Sequence, residues 1–196
     1  MRLVVAITGA TGAIYGIRLL EILKKLDIET HLIISKWAQK IIKEETDYSP
    51  EYIKGLACYN YKSDNFNVPI ASGSYKTEGM VVIPCSMKTL SSIAHGYAAD
   101  LITRVADVAI KDKRKLILVP RETPLSVIHL ENMLKLARLG VIILPPMPAF
   151  YYKPVNLEDI YIHILSRILD QFGIDNHLFK RWGEGGSNKR EPKNTD

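Results

Sequence analysis

The chain has 196 residues, 47% of them hydrophobic and 24% charged, and its formal net charge is +5 at pH 7. This length suits one domain with a full core, and the apolar runs are too short for a membrane span or a signal peptide, so we expect a cytoplasmic protein. The net charge permits nucleic-acid binding, but the basic residues are scattered without a nucleic-acid motif, and anionic small molecules explain the charge equally well. The two cysteines lack metal-ligand spacing.

Five apolar, β-branched runs are typical of strands that are buried on both faces of a sheet. They lie at residues 2–8, 30–34, 80–84, 115–119 and 141–144. The sequence predicts helices at 13–26, at 100–113, from an N-cap at Thr123 with Pro124 as first helical residue to Leu139, and from Asn156 to Gly173. It predicts a long surface excursion at 57–79, which contains Pro69, Gly73 and Gly79.

The alternation of strands and helices predicts a single-domain, three-layer α/β/α fold. Its sheet is expected to be doubly wound and mostly parallel, of the Rossmann or flavodoxin-like kind. We expect this domain to span residues 1–182. Residues 183–196 are Gly, Asn, Lys, Glu and Pro with little to bury, which predicts a disordered tail.

Four of the apolar runs end in small or hydroxyl residues, where a parallel sheet binds its ligands. These ends are Gly9 to Gly12, Ser35, Ser86 to Thr89, and Arg121 with Glu122. Because the carboxyl ends of parallel strands share one edge, the side chains are expected to converge. The cations at Lys88 and Arg121 suit a ligand with one phosphate or more than one.

Several of these residues have an ordinary structural interpretation beside the functional one. Gly9 to Gly12 lacks the full fingerprint of a dinucleotide site, so it is either a tight strand-to-helix turn or an anion site. Ser86 to Thr89 is either a helix cap or a phosphate contact. Gly16 is expected to be a close-packing position, and Cys85 a small buried residue.

A second group of candidates follows in the later part of the chain. Lys111, by default a solvated helix cation, precedes Arg121 and Glu122 by about ten residues, and a carboxylate among cations can shuttle a proton. The Pro-rich segment 145–154 predicts a rigid loop that presents Tyr151. Arg167 follows on the next helix, where it can share a pocket with Tyr151. The five histidines show no ligand spacing and are expected to serve packing or to lie at the surface.

Eight short motifs occur in order from residue 2 to about Trp182. They are Gly9-Ala-Thr-Gly12, Ser35-Lys-Trp37, Glu45-Thr-Asp47, Pro84-Cys-Ser-Met-Lys-Thr89, Ala106-Asp-Val-Ala-Ile-Lys111, Pro120-Arg-Glu-Thr-Pro-Leu125, His129-Leu-Glu-Asn-Met133 and Pro145-Pro-Met-Pro-Ala-Phe-Tyr151. Together they resemble the UbiX type of flavin prenyltransferase, a family also known as phenylacrylic or aromatic acid decarboxylases. Thr11 departs from the common Gly-Ala-Ser-Gly turn of that family but keeps the hydroxyl.

The resemblance implies a metal-independent transfer of a dimethylallyl group from dimethylallyl phosphate to N5 and C6 of reduced FMN. It implies FMN contacts at Gly9, Ala10, Thr11, Ser35, Ser86, Met87, Lys88, Thr89 and Arg121. It implies prenyl phosphate contacts at Lys111, Tyr151 and Arg167. It also implies catalytic roles for Lys111, Glu122, Glu45 and Trp182, with Glu122 and the released phosphate moving a proton.

The resemblance further implies partners. The product, prenylated FMN, is the cofactor of UbiD-type decarboxylases, which would receive it. A homo-oligomer, commonly a dodecamer, is expected, with the flavin site at subunit contacts, and neither nucleic acid nor membrane is an expected partner. Three other functions stay open: an FMN-dependent aromatic acid decarboxylase, a cysteinyl-peptide decarboxylase, and a non-catalytic flavin carrier.

Overall fold

Six strands form one parallel sheet in the computed structural model of the chain, which describes residues 1–179 and 181–183. The strands are β1 (Arg2–Ile7), β2 (Glu29–Ile34), β3 (Tyr59–Lys62), β4 (Gly79–Cys85), β5 (Lys115–Pro120) and β6 (Ile142–Ile143). Their order across the sheet is β3-β2-β1-β4-β5-β6, and each neighbouring pair is parallel. The predicted doubly wound α/β fold is confirmed, with a sheet that is parallel throughout.

Helices connect these strands. They are α1 (Ala13–Lys25), α2 (Lys36–Glu45), α3 (Pro50–Lys54), α4 (Met87–Ala94), α5 (Leu101–Lys111), α6 (Val127–Arg138) and α7 (Leu157–Gln171), with a short 3₁₀ helix at Pro69–Ala71. The five predicted strands are confirmed to within one residue at each end. Strand β3 was not predicted, because it lies inside the expected surface excursion and its four side chains are mostly exposed.

The predicted start of α6 was wrong. Thr123 is not its N-cap and Pro124 is not its first residue, because the helix begins at Val127. Ser126 is the N-cap: its Oγ accepts the backbone N–H of His129 at 3.3 Å, and His129 Nδ1 accepts the backbone N–H of Ser126 at 3.2 Å. This reciprocal capping box satisfies donors at the helix start that Thr123 would leave without a partner.

Helices pack on both faces of the sheet. Alternate residues of the central strands, such as Val4 and Val82, join a buried cluster with α4, α5 and α6. Ile7 points to the other face, towards α1. A Cβ placed on Gly16 of α1 would lie 2.7 Å from the carbonyl oxygen of Ile83 and 2.9 Å from the Ile7 side chain. The close-packing interpretation of Gly16 is therefore confirmed, since a larger residue would push α1 off the sheet.

The chain divides into two compact units, Met1–Met147 with the whole sheet, and the residues from Pro148 onward with α7. The domain boundary expected at residue 182 stays a prediction, and residues 184–196 of the expected tail lie outside the described residues. None of the helices among residues 1–179 and 181–183 combines the length and the apolar character that crossing a membrane requires.

Candidate active site at the carboxyl edge of the sheet

The strand order reverses between β1 and β4, so the connections after these strands diverge and leave a crevice at their carboxyl ends. The buried Thr8 fastens the two strand ends together. Its Oγ1 donates to the carbonyl oxygen of Pro84 at 2.8 Å and accepts the backbone N–H of Ser86 at 2.8 Å. The segments 8–12 and 84–89 therefore have a fixed spacing at the base of the crevice.

The predicted turn Gly9 to Gly12 leads directly into α1. Gly12 has a φ of 95°, in the left-handed region that favours glycine. The backbone N–H groups of Gly12 and Ala13 donate to Glu45 Oε2 at 2.9 and 3.2 Å, so a carboxylate of the protein itself meets this helix N-terminus. The tight-turn interpretation is supported directly, and Glu45 is placed beside the turn.

Two serines cap the helices that follow β2 and β4. Ser35 Oγ accepts the backbone N–H of Ala38 at 3.1 Å, and Ser86 Oγ accepts that of Thr89 at 3.3 Å. A hydroxyl that accepts a backbone bond still has its own proton to donate, so capping and anion binding are compatible. Within the same segment, Met87 packs against the core while Lys88 is exposed.

Arg121 and Glu122 directly follow β5 and are both exposed at the carboxyl edge. The backbone N–H of Arg121 donates to the carbonyl oxygen of Cys85 at 3.2 Å, which ties this strand end to that of β4. The side chain of Glu122 accepts the backbone N–H of Thr123 at 3.0 Å. Cys85 itself is fully buried, which confirms the expected small buried residue, and burial raises the pKa of its thiol far above the usual range.

Lys111 lies at the opposite edge of the sheet. It ends α5, four residues before β5 begins at Lys115, which pairs in register with Gly79 at the amino end of β4. Its Nζ pairs with Asp112 Oδ1 at 3.0 Å. The six residues of β5 span roughly 20 Å, so a single chain does not bring Lys111 to Arg121.

Three predicted residues lie within the unit that begins at Pro148, and two of them, Tyr151 and Trp182, are in contact. The Tyr151 hydroxyl lies 3.2 Å from Nε2 of His163, and the Trp182 ring stands edge-on to the Tyr151 ring at a centroid distance of 5.3 Å. Arg167 lies one turn after His163 on α7, where its guanidinium pairs with Asp170 at 3.3 Å. Tyr151 thus contacts His163, and Arg167 lies near enough to lower the pKa of that histidine, while a pocket shared by Tyr151 and Arg167 stays a prediction.

The charges in this unit are set by burial and by arginine. Burial, reinforced by the nearby charge of Arg167, lowers the pKa of His163 and favours its neutral ring. The hydrogen bonds from Arg181 lower the pKa of Asp170, with Asn176 and the charge of Arg167 acting in the same direction. Asp170 therefore stays ionised between two arginines and restrains both.

Sequence reasoning missed Thr8, His163 and Asp170. A signal existed for Thr8, because it is the hydroxyl residue that ends the first apolar run just before Gly9. The positions of His163 and Asp170, four residues before and three after Arg167, place them near that arginine on the helix. Spacing alone does not distinguish such neighbours from ordinary packing residues.

A cavity of about 500 Å³ lies apart from these residues, between β2, β3, α2 and α3. Leu32, Ile42 and Ile53 are among its apolar lining residues, and none of the predicted site residues lines it. Within the part of the chain that the structure describes, no three His, Cys, Asp or Glu side chains are grouped as a metal site requires.

The fold is that of a doubly wound α/β protein with a parallel sheet, and such folds bind their ligands at the switch point of the strand order. The family model named Flavoprotein matches residues 1–163. Flavin prenyltransferase UbiX of Methanocaldococcus jannaschii is 58% identical over 183 residues, which cover 93% of this chain and 99% of that protein.

Two solved structures are similar to the chain over nearly their whole length. One is a dodecameric FMN-dependent UbiX-like decarboxylase from Escherichia coli O157:H7, with a TM-score of 0.91 and 52% identity over 93% of this chain and 99% of that one. The other is AnUbiX (PadA1) in complex with FMN and dimethylallyl pyrophosphate, with a TM-score of 0.91 and 51% identity over 92% and 96% of the two chains. An FMN-dependent cysteine decarboxylase of thioviridamide biosynthesis shares the fold alone, at a TM-score of 0.60 and 14% identity.

The chain therefore belongs to the Flavoprotein family and, within it, to the UbiX-type flavin prenyltransferases. The resemblance predicted from the eight motifs is confirmed.

Proposed function

We propose that the chain transfers a dimethylallyl group from dimethylallyl phosphate to N5 and C6 of reduced FMN, giving prenylated FMN. The observation that carries the proposal is the crevice at the switch point, where Thr8 fastens the ends of β1 and β4 and Arg121 is tied to β4. The 51% identical AnUbiX, solved with FMN and dimethylallyl pyrophosphate, supports the same pair of ligands.

The residues present fit FMN. Ser35 and Ser86 each end a strand and cap a helix, so a helix N-terminus and a hydroxyl proton act together on a phosphate. Gly9, Ala10 and Thr11 with Met87, Lys88, Thr89 and Arg121 complete the proposed flavin contacts. When bound, reduced FMN supplies the nucleophilic atoms and an apolar ring face that excludes water.

The prenyl phosphate needs cations and donors around its leaving group. We assign this role to Lys111, Tyr151 and Arg167, and assign to Glu122 the movement of a proton together with the released phosphate. Glu45 and Trp182 are assigned further catalytic roles. Because Lys111 lies roughly 20 Å from the carboxyl edge of its own sheet, we infer that each site takes its Lys111 from a second copy of the chain.

The primary test is chemical. The protein is incubated without oxygen with reduced FMN and dimethylallyl phosphate, and the extracted flavin is weighed. A mass gain of one five-carbon unit is the expected result. Unchanged flavin would refute the proposal and favour a non-catalytic flavin carrier, while turnover with the diphosphate alone would change the donor but not the reaction.

The two-copy site is tested by mixing inactive variants. Lys111→Ala is expected to lower turnover roughly 10² to 10³-fold with FMN still bound, by loss of one electrostatic donor. Glu122→Gln is expected to slow the reaction through the lost proton carrier.

After subunit exchange between the two variants in equal amounts, about a quarter of the sites regain both native residues if these come from different copies. Each variant exchanged with itself is the control, and a mixture no more active than the unmixed variants would place both residues in one chain.

Direct decarboxylation of aromatic acids is the second candidate, because the similar Escherichia coli structure is described as a decarboxylase. Release of carbon dioxide from an aromatic acid by the purified protein, without a second enzyme, would favour it.

We propose instead that a UbiD-type decarboxylase receives the product, and that this occurs in the cytoplasm. We expect the reaction mixture to restore the activity of a UbiD-type enzyme that lacks its cofactor.

We also propose a homo-oligomer, of twelve copies as in that relative. The exposed apolar face of α6 supports a self-association surface. Its side chains Val127, Ile128, Leu130 and Leu134 are each at least half exposed.

A further inference from the structure

His163 is held in one orientation by the aromatic rings around it. Its side chain is 8% exposed. The ring stacks on Tyr152 at a centroid distance of 5.1 Å and an interplanar angle of 14°, and Phe179 meets it edge-on at 4.8 Å. Nε2 points to the Tyr151 hydroxyl at 3.2 Å, so the imidazole has little freedom to turn away from that hydroxyl.

The other ring nitrogen of His163 decides which way this hydrogen bond runs. Nδ1 is buried and has no hydrogen-bond partner among the described residues. With the proton on Nδ1, a buried N–H would lack an acceptor. In proteins a buried donor without a partner is rarer, and costs more free energy, than a buried acceptor without one. With the proton on Nε2, Nδ1 is a bare lone pair, and Nε2–H donates to the oxygen of Tyr151.

The charged form of His163 does not compete with this tautomer at neutral pH. Burial and the adjacent charge of Arg167 both lower its pKa. An imidazolium would also need an acceptor for Nδ1–H, which the described surroundings lack. The neutral ring with a protonated Nε2 is therefore the favoured state.

We propose that His163 is a positioning residue that donates Nε2–H to the Tyr151 oxygen and so turns the phenol proton towards the phosphate of the prenyl donor. A phenol whose oxygen already accepts one hydrogen bond has its single proton free for another acceptor. Tyr151 is 43% exposed, so this proton is accessible to an anion. This inference rests on the proposed function, in which Tyr151 binds the prenyl phosphate.

The same helix supplies the positive charge that accompanies this donor. Arg167 follows His163 by one turn and is restrained by Asp170 at 3.3 Å, and Asp170 also binds Arg181 at 2.7 Å. One face of α7 thus fixes both a neutral donor and a guanidinium. Phosphate oxygens are acceptors for both, through charge-assisted bonds.

A double-mutant cycle on binding tests the proposal without using turnover. The affinity of dimethylallyl phosphate for the full-length protein loaded with oxidised FMN is measured by calorimetry for wild type, Tyr151→Phe, His163→Phe and the double variant. Each single variant is expected to bind roughly tenfold more weakly, as loss of a hydrogen bond to a charged group implies. The double variant is expected to bind no more weakly than Tyr151→Phe, since His163 acts through that hydroxyl.

Amide variants supply a rescue that packing alone would not give. The Gln side chain places its N–H₂ near the position of Nε2, whereas Asn reaches the position of Nδ1. His163→Gln is expected to keep most of the affinity and His163→Asn to lose it. His177→Phe, at an exposed histidine of the same unit, is the matched control and is expected to bind like wild type.

Two results would overturn the positioning role. One is an equal loss from His163→Phe in the wild-type and Tyr151→Phe backgrounds, and the other is equal binding by the Gln and Asn variants. If His163→Phe does not fold, the Gln and Asn pair still decides. If the double-mutant cycle shows the expected coupling but the protein never prenylates FMN, the proposed function alone is refuted. If the wild-type protein does not bind dimethylallyl phosphate, both the proposed function and the role of His163 are refuted.

Discussion

The Thr8 side chain joins the two central strand ends. Its hydroxyl satisfies both the Pro84 carbonyl and the Ser86 N–H, each at 2.8 Å, in a fully buried position. Valine has almost the same shape but neither donates nor accepts. Thr8→Val would leave the Ser86 N–H without its partner at the start of the segment assigned to FMN.

We therefore expect Thr8→Val to lower the free energy of unfolding by about 1–3 kcal/mol, the usual result of an unsatisfied buried polar group. FMN affinity is expected to fall as well, because the Ser86 N–H at the start of the FMN segment loses its hydrogen bond, although the backbone N–H of residue 8 still donates to the Pro84 carbonyl. Urea unfolding and quenching of flavin fluorescence measure the two effects.

Thr8→Ser is the matched control, since it keeps the hydroxyl and removes a methyl group. It should lose only about 1 kcal/mol and retain FMN binding. A Val variant that binds FMN like wild type would show that the Thr8 bridge does not organise the site.

For single residues, the sequence predicts where a side chain lies along a strand or helix better than it predicts which residues that side chain contacts. Ser35, Ser86 and Arg121 were placed at strand ends by the apolar runs that precede them, and the structure puts them there. The interaction between Glu45 and the start of α1 joins residues more than 30 positions apart, so no local pattern contains it. His163 was expected to serve packing or to lie at the surface, because its contact with Tyr151 depends on how the loop after residue 148 turns back onto α7.

Strand β3 is attached to the sheet through an aromatic and ionisable network. His31 of β2 is 1% exposed, stacks on Tyr59 at 4.7 Å, and has its Nδ1 2.9 Å from the Tyr61 hydroxyl. Its Nε2 lies 3.1 Å from Glu29 and 3.3 Å from the Tyr75 hydroxyl. An edge strand of four mostly exposed residues thus adds contacts with one buried imidazole to its backbone pairing with β2.

This network predicts that acid loosens β3. Burial lowers the pKa of His31, and Glu29 opposes the shift without cancelling it. The folded chain keeps the ring neutral, whereas the unfolded chain takes up a proton as the pH falls through about 6.5. The free energy of unfolding should therefore be level above that pH and fall below it, by at most about 1.4 kcal/mol per pH unit for this group. Urea unfolding between pH 8 and 5 measures how the free energy of unfolding changes with pH. Faster amide hydrogen exchange in Tyr59–Lys62 at the lower pH would show that β3 is the part that loosens.

His31→Phe keeps an aromatic ring at this position but removes the group that titrates. The free energy of unfolding should therefore change less with pH, by the contribution of one proton. His163 contributes in the same direction, because its pKa is also lowered, and some slope should remain. His177→Phe, at an exposed histidine away from β3, is the control for the replacement of a histidine by phenylalanine. Identical slopes in wild type and His31→Phe would remove His31 as the acid-sensitive group.

The elements were predictable where burial imposes an apolar pattern. The central strands are buried on both faces and were recovered from their β-branched runs. Strand β3 carries no such pattern, because solvent covers most of its side chains. The start of α6 was misplaced because Thr123-Pro124 and Ser126 to His129 both carry helix-start signals, and only the capping box of the latter forms.

The whole molecule is incomplete as a single chain in two respects. Its proposed phosphate ligand Lys111 lies at the wrong edge of the sheet, and one helix presents apolar side chains to solvent. In α6, Val127, Leu130 and Leu134 recur at helical spacing on the face opposite the buried Asn132 and Leu136. Under the two-copy site proposed above, the first feature calls for a second copy of the chain, and the second offers a surface on which copies can associate.

These two features give the last prediction. Leu130→Glu places a charge in the middle of the α6 face, where burial against another copy would desolvate it at a cost of several kcal/mol. Light scattering should then show a smaller assembly than wild type, with FMN still bound and prenylation lost, because the neighbour's Lys111 is no longer supplied. Gln39→Glu, which adds the same charge on exposed α2, should leave mass and turnover unchanged. A Leu130→Glu protein that is fully dissociated and fully active would refute the two-copy site, and one that keeps its assembly would place the contact on another face.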